Sequence, residues 1–136
     1  MSYPAAPLQK AIYDAIVGSA TVATAMGGTA RAYDRVPPDA VFPYITIPDG
    51  DFIDDGDTCE TDAYEVYVDL QVWSRAVGNV ECKTVAGVLR DVILDGLTIT
   101  GWTATVIEFQ RTFHFTDPDG MTSRARVTFR FLIEPA

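Results

Sequence analysis

The sequence predicts a single α+β domain: a mainly antiparallel sheet of about five strands packed against two helices, in the order α-β-β-β-α-β-β. Three observations favour this class. A chain of 136 residues suits one hydrophobic core. Two segments carry apolar residues at intervals of three and four, and the segments that begin near residues 64, 107 and 125 alternate between apolar and polar side chains. We therefore treat residues 1–136 as one domain.

The first helix is predicted near the start of the chain, where Pro7 suits the first position of a helix. Gly18 and Ser19 are expected to end this helix, because glycine and serine favour turns and caps. One face of the helix is apolar and carries Leu8, Ala11, Ile12, Ala15 and Ile16.

Short elements and one regular strand follow the first helix. A helical turn is predicted at residues 22–26, and short strands are predicted at residues 32–35 and 44–47. Strict alternation over residues 64–73 predicts the most regular strand. Its apolar side carries Tyr64, Val66, Val68, Leu70 and Val72, and its other side carries Glu65, Tyr67, Asp69, Gln71 and Trp73.

A second amphipathic helix is predicted between Asn79, a plausible N-cap, and Gly96, a glycine that suits the C-terminal end. Its apolar stripe consists of Cys82, Val85, Ala86, Leu89, Val92 and Ile93. We expect this helix to lie on the sheet face that buries the valines of strand 64–73.

The last third of the chain predicts a long hairpin around the sequence DPDG. Pro118 and Asp119 suit a type I turn and Gly120 a left-handed bulge residue, so a three-residue loop would place Asp117 opposite Met121. The apolar side would then carry Ile107, Phe109, Phe113 and Phe115 on one strand and Ala125, Val127, Phe129, Phe131 and Ile133 on the other.

Counting outward from this turn fixes the expected pairs of the hairpin. Phe109 faces Phe129 on the apolar side, while Glu108 faces Arg130 on the polar side. The polar face is either solvated and held by ion pairs between strands, or it contacts another protein subunit, since arginine is enriched at such contacts. The candidate interface residues are Arg124, Arg126, Arg130, Glu108, Tyr67 and Trp73.

Residues 49–62, DGDFIDDGDTCETD, form a strongly acidic loop in this prediction. They contain seven carboxylates and no basic residue, which leaves twelve acidic against ten basic residues elsewhere. The chain therefore lacks the basic footprint that nucleic-acid binding requires. Neither possible frame of an EF-hand fits, so a looser divalent-cation site and a solvated loop both remain open. The carboxylates are Asp49, Asp51, Asp54, Asp55, Asp57, Glu60 and Asp62.

The sequence predicts no catalytic, cofactor-binding or metal-ligating residue outside that loop. His114 is the single imidazole, and no nucleophile elbow, zinc-protease motif or phosphate loop is present. Cys59 and Cys82 form neither a C-x-x-C motif nor a disulfide-rich framework, so a reducing compartment is expected. No signal peptide or membrane span is predicted.

Several landmarks in sequence order carry a family resemblance: LQKAIYDAI, GG, AYDRVP, FPYITI, VDLQVWSR, VECKTVAGVLRDVI, DPDG and RFLIEP. Over residues 8–134 the chain resembles the tail completion or tail terminator proteins of long-tailed bacteriophages and of phage-like particles. The acidic stretch is longer than is usual in that family, and FHFT stands where more polar residues often precede the turn.

The resemblance implies a structural virion protein that is not an enzyme and needs no cofactor. Such a subunit assembles into a homo-hexameric ring that caps the tail tube, ends its polymerisation and presents a surface to the head. The implied partners are further copies of the chain, the tail tube protein, a head-closure or connector protein, and DNA that passes through the bore without specific binding; no membrane is involved. The implied location is the head-tail junction of a virion assembled in the host cytoplasm.

Two roles of the acidic loop are open under this resemblance. The loop could line or rim the bore and repel DNA, or it could reach a neighbouring subunit and pair with the arginine face. Alternative functions are a head-closure or neck component of the same particle and, in another class, a small acidic divalent-cation-binding module; an enzyme centred on His114 comes third.

Overall fold

The computed structural model describes residues 4–48, the backbone of residues 51–54, and residues 63–136, and in these the chain forms three helices and six strands. The predicted α+β class is confirmed. The helices are α1 (Ala5–Val17), α2 (Ala20–Ala25) and α3 (Val80–Leu94). The strands are β1 (Ala32–Tyr33), β2 (Tyr44–Thr46), β3 (Asp51–Asp54), β4 (Tyr64–Ser74), β5 (Trp102–Thr116) and β6 (Ser123–Pro135).

The N-terminal helices follow the predicted stripe. Leu8, Ile12 and Ile16 of α1 are almost fully buried, since their spacing places them on one side of the helix. At Gly18 the backbone N–H still donates to the Asp14 carbonyl. The predicted helical turn is the separate helix α2, because the Ser19 hydroxyl caps it by accepting from the Val22 N–H at 3.2 Å.

The sheet has the order β1-β2-β4-β6-β5, in which β1 and β2 are parallel and the other pairs antiparallel. β3 also pairs with β4, on the same edge as β2 but nearer the start of β4. A strand therefore lies inside the stretch predicted as one acidic loop, which is a correction at Asp51 and Asp54. The other five predicted loop acids lie outside the described residues: Asp49, Asp55, Asp57, Glu60 and Asp62.

The two faces of the sheet have different surroundings. The helix face, on which α3 packs as predicted, carries Val66, Val68, Leu70 and Val72 of β4 and Ala125, Val127, Phe129, Phe131 and Ile133 of β6. No helix of the described residues covers the opposite side, which we call the open face. It carries Glu65, Tyr67, Asp69, Gln71 and Trp73 of β4, Arg124, Arg126, Thr128 and Arg130 of β6, and Glu108, Arg111, Phe113 and Phe115 of β5.

The turn of the terminal hairpin differs from the prediction by one residue. The Asp117 N–H donates to the Thr122 carbonyl at 2.8 Å, so four residues rather than three lie between the paired positions. Asp119 fixes this longer loop because its carboxylate accepts from the backbone N–H groups of Met121 and Thr122. These hydrogen bonds hold the pKa of Asp119 below its usual value. The predicted pairing of Asp117 with Met121 is therefore wrong.

A β-bulge at Gln110 compensates for the extra turn residue. Beyond it, Ile107 faces Phe131, Glu108 faces Arg130 and Phe109 faces Phe129, as predicted. Between the bulge and the turn, however, each side chain of β5 lies on the face opposite to the predicted one. The reason is that one additional residue in a strand moves every following side chain to the other face. Phe113 and Phe115 consequently lie on the open face rather than on the predicted apolar side.

Candidate interface on the open face of the sheet

Strand pairing brings all six predicted interface residues onto the open face. Tyr67, Arg130 and Glu108 form one row across three strands. Trp73 and Arg124 belong to a second row, completed by Phe115. Arg126 stands between these rows, opposite Gln71 on one side and Phe113 on the other. These placements follow from the register, since directly opposed residues of neighbouring strands share a face.

Arg130 lies between two carboxylates of the neighbouring strands, Glu65 of β4 and Glu108 of β5. Its Nε donates to Glu65 Oε2 at 2.6 Å, and its Nη1 lies 4.0 Å from Glu108 Oε2. The hydrogen bond with Glu65 is the main reason that the pKa of Arg130 is raised. Arg130 is therefore engaged in cross-strand ion pairs, which agrees with the solvated-face interpretation for this row.

Arg124 is held between two aromatic rings. Its guanidinium lies 4.3 Å from the ring centre of Trp73 and 4.4 Å from that of Phe115. The Nε donates to Asp117 Oδ1 at 2.7 Å, and Nη1 donates to Gln71 Oε1 at 3.2 Å. The guanidinium of Arg124 is therefore engaged by neighbours within its own subunit. It contributes to the shape of the surface more than to its capacity to pair with an acidic group of a partner.

Trp73 is likewise fixed by contacts inside the subunit. Its indole N–H donates to Thr46 Oγ1 at 3.0 Å, and its ring stacks on Tyr44 with centroids 6.1 Å apart. The side chain is half-buried. It forms the rigid floor of the open face rather than a free aromatic anchor.

Three arginines on or beside the open face make no ion pair with any described residue: Arg75, Arg111 and Arg126. Arg126 lies 5.9 Å from the centre of the Phe115 ring. Arg75 donates to Thr122 Oγ1 at 3.2 Å and lies over the ring of Phe42. None of them lies at salt-bridge distance from a described carboxylate, although the charge of Arg75 contributes to lowering the pKa of Asp119. The positive charges of Arg111 and Arg126 therefore have no ion-pair partner among the described residues.

Apolar side chains accompany this positive charge. Phe113, in the same row as Arg126, is 52% exposed, and Met121 at the hairpin turn is 64% exposed. A cleft of about 580 Å³ lies between the turn and the segment from Arg75 to Asn79. Large exposed apolar side chains grouped beside arginine are typical of protein contact surfaces.

Sequence reasoning missed four members of this surface: Arg75, Arg111, Phe113 and Phe115. A signal for the last three was available. In an unbroken strand Arg111 would share the apolar side with Ile107 and Phe109, and an arginine at such a position indicates a change of parity. The sequence carried no comparable signal for Arg75.

Little in residues 4–48 and 63–136 resembles a catalytic or metal site. His114 lies in a small cleft with Lys83, and burial together with the charge of Lys83 lowers its pKa. Cys82 is buried, and burial raises its pKa to about 11, so its thiol stays protonated near neutral pH. Within residues 4–48 and 63–136, no three His, Cys, Asp or Glu side chains are grouped so that they could hold a metal ion. The divalent-cation hypothesis for the acidic loop concerns residues outside this part.

Among the described residues, none of the helices has both the length and the apolar character needed to span a bilayer.

Comparison with known proteins identifies the family of the chain. A family model described as "Tail completion protein gp17" matches residues 10–134. A chain in the solved structure "Virion of native gene transfer agent (GTA) particle" has the same fold, with a TM-score of 0.85 and 25% sequence identity over 98% of this chain and 99% of that one. No curated protein sequence matches. The chain therefore belongs to the tail completion protein gp17 family and is a structural protein of a virion tail.

Proposed function

We propose that this protein caps the tail tube as a homo-hexameric ring, ends tube polymerisation and forms the surface to which the head is joined. Family membership supports a role in the tail, and the likeness to a chain of a gene transfer agent virion supports a place in an assembled particle. The partners in this proposal are further copies of the chain, the tail tube protein and a head-closure or connector protein. DNA would pass through the bore without specific binding.

The observation that carries the proposal is the open face. A sheet in a single small domain normally has one face on the core and the other in solvent, with a polar composition. Here the second face is largely polar but also presents the exposed Phe113 beside Arg111 and Arg126, while Arg75 and Met121 extend it at the turn end. Arginine and large apolar side chains are enriched in protein interfaces, so this composition favours contact with another subunit.

The proposed role requires surfaces that contact other subunits, and it requires no covalent bond to be made or broken. Positioning by a ring needs surfaces that fit a neighbour and the tube, whereas an enzyme needs acid, base or nucleophile side chains within hydrogen-bond reach of one another. In the described residues His114 is accompanied by Lys83, Asn79 and Cys82, and no carboxylate lines that cleft. We therefore propose a non-enzymatic protein at the head-tail junction of the virion.

The test is the length distribution of cognate tail tubes that polymerise with and without the purified protein, measured by electron microscopy. The proposal expects shortened or uniformly capped tubes with a ring at one end. Tubes of unchanged length, in the presence of protein shown to be folded by circular dichroism, would contradict termination. Binding to purified connector under those conditions would then assign the protein to head closure.

A further inference from the structure

Two of the unpaired arginines, Arg126 and Arg75, lie towards the end of β4, whereas the most acidic part of the chain joins the start of β4. Residues 55–62 contain four carboxylates and no basic residue. They connect β3 to β4, and the last described residue before them, Asp54, pairs with Tyr64 at the start of β4. Arg126 pairs with Gln71 and Arg75 follows Ser74, both towards the other end of β4.

The distance between the two ends follows from strand geometry. Gln71 lies seven residues beyond Tyr64, and at a rise of roughly 3.3 Å per residue this places Arg126 about 23 Å away along the sheet. Arg75 lies eleven residues beyond Tyr64, or about 36 Å at the same rise. The arginines are therefore far from the point where the acidic segment is anchored.

The acidic segment of a chain is too short to reach Arg75 of the same chain. Its two ends are neighbours in the sheet, since Asp54 pairs with Tyr64. Even a fully extended loop between them could place its midpoint, five residues from either end, only about 18 Å from Tyr64, because a residue spans at most roughly 3.6 Å. That reach ends about 18 Å before the backbone of Arg75, whereas the backbone of Arg126 lies only about 5 Å beyond it, within the length of an arginine side chain.

We propose that residues 55–62 of one copy dock on the open face of a neighbouring copy, at a surface formed by Arg75, Arg111, Arg126 and Phe113. The inference rests on the proposed function, because it supplies the contact between adjacent subunits of the ring. Opposite charges favour the encounter and set its orientation, since the four carboxylates of the segment meet three arginines that make no ion pair with a described residue.

This arrangement is also consistent with ring symmetry. The two complementary patches are different parts of one subunit, so the contact joins unlike surfaces head to tail. Contacts of this kind produce a closed ring when the rotation between copies closes, and an open filament when it does not. A two-fold contact, in which each copy uses the same patch, is not expected from these positions.

The test is site-specific cross-linking through a natural cysteine. Cys59 lies in the acidic segment, whereas the only other cysteine, Cys82, is buried and protonated and will not react in the folded protein. The variant Phe113→Cys places a second reactive thiol beside Arg126 on the exposed strand. A short bis-maleimide is added to the folded protein bound to cognate tail tubes, and the products are separated on a denaturing gel.

We expect a ladder of covalent oligomers from Phe113→Cys. No ladder is expected when Cys59→Ser is added to the same chain. Tyr13→Cys serves as the matched control, because Tyr13 is 43% exposed but lies on α1, away from the open face. Its cross-linking should stay at the level of the wild-type chain.

The outcomes separate this inference from the proposed function. Capped tubes with a Phe113→Cys ladder support both. Capped tubes with no ladder, or with only an internally cross-linked monomer, overturn the docking and leave the proposed function intact. If tubes are not capped, the proposed function fails, and the same reaction on concentrated free protein decides the docking: a ladder that grows with concentration supports it, and unchanged monomer overturns it.

Discussion

The helix face and the open face use alternate residues of the same strands but differ in what surrounds them. On the helix face Phe129 is 0% exposed and packs against Phe109 and Phe131. On the open face Phe113, a residue of the adjacent strand, is 52% exposed. Two phenylalanines in neighbouring strands thus have opposite environments because one faces the helices and the other does not.

The difference indicates that the two faces of the sheet have different roles. The helix face excludes water and supplies the free energy that holds the fold, since buried apolar area is the main stabilising contribution. The open face is polar enough to remain in solvent, and its fixed side chains, such as Arg124 between two rings, form a preorganised surface. Substitutions on the first face should change stability, and substitutions on the second should change assembly.

The largest expected effect on stability is that of Phe129→Ala. Removing a fully buried phenylalanine loses its transfer free energy and leaves a cavity, so the free energy of unfolding should fall by about 3–5 kcal/mol. Denaturant unfolding followed by circular dichroism measures this loss. The matched variant Phe113→Ala should change the same quantity by less than about 0.5 kcal/mol. Equal effects of the two substitutions would break the distinction between the faces.

The next effect is a loss of stability at high pH that depends on Cys82 on the helix face. Its pKa is raised to about 11 in the folded protein, so the folded state keeps a proton that the unfolded state releases from about pH 9 upward. The stability from this group is complete below pH 9 and is lost as the pH rises to about 11, by about 2 kcal/mol.

Comparison of two variants isolates that contribution. The free energy of unfolding of Cys82→Ala should depend less on pH between 9 and 11 than that of the wild-type chain. The quantity compared is the slope of the unfolding free energy against pH. Cys59→Ser is the control for thiol ionisation in general. A slope unaltered by Cys82→Ala would show that the buried thiol is not responsible.

A smaller loss of stability is expected from Arg124→Lys on the open face. Lysine keeps the charge but lacks the planar group that stacks on Trp73 and Phe115 and donates to Asp117. We expect a decrease of about 1 kcal/mol in the unfolding free energy. Arg126→Lys, which removes no hydrogen bond with a described residue, should have almost no effect. Equal losses would mean that the ring contacts of Arg124 contribute little.

The smallest effect on stability should accompany a large effect on assembly, in Arg126→Glu. This half-buried charge makes no ion pair with a described residue, so the unfolding free energy should change by less than about 0.5 kcal/mol. The protein concentration needed to cap tail tubes should rise at least about tenfold, because like charges would face each other in the proposed contact.

Lys10→Glu is the matched charge reversal for that experiment. Lys10 is exposed on α1 and pairs with Asp14, away from the open face. Its capping concentration should remain that of the wild-type chain. If both reversals impaired capping equally, net charge rather than the open face would explain the result.

Much of the fold could be predicted because its strands and helices alternate regularly. The stripe of α3 and the alternation of β4 and β6 specified their buried sides, and the pairs from Ile107 to Phe109 were confirmed. The turn was predicted one residue too short. The correct pairs nevertheless resulted, because the bulge at Gln110 offsets the longer turn. Local propensity does not encode such compensation between distant residues.

The candidate site could be predicted only in part. Arg124, Arg126 and Arg130 were placed together correctly, but their environments differ: Arg130 is ion-paired, Arg124 lies between rings, and Arg126 has neither arrangement. Which charges are compensated depends on the side chains that neighbouring strands bring opposite them. Sequence spacing within one strand does not contain that information.

The sequence by itself determined which side of each regular strand and helix is apolar, because the period of 2 or 3.6 residues is a property of the chain and follows from local backbone geometry. Tertiary structure alone decided that Phe113 and Phe115 lie beside the arginines, that a strand forms at Asp51–Asp54, and that no helix of the described part of the chain covers one face of the sheet. These features depend on strand partners and on the packing of α3, which are contacts between residues far apart in the chain.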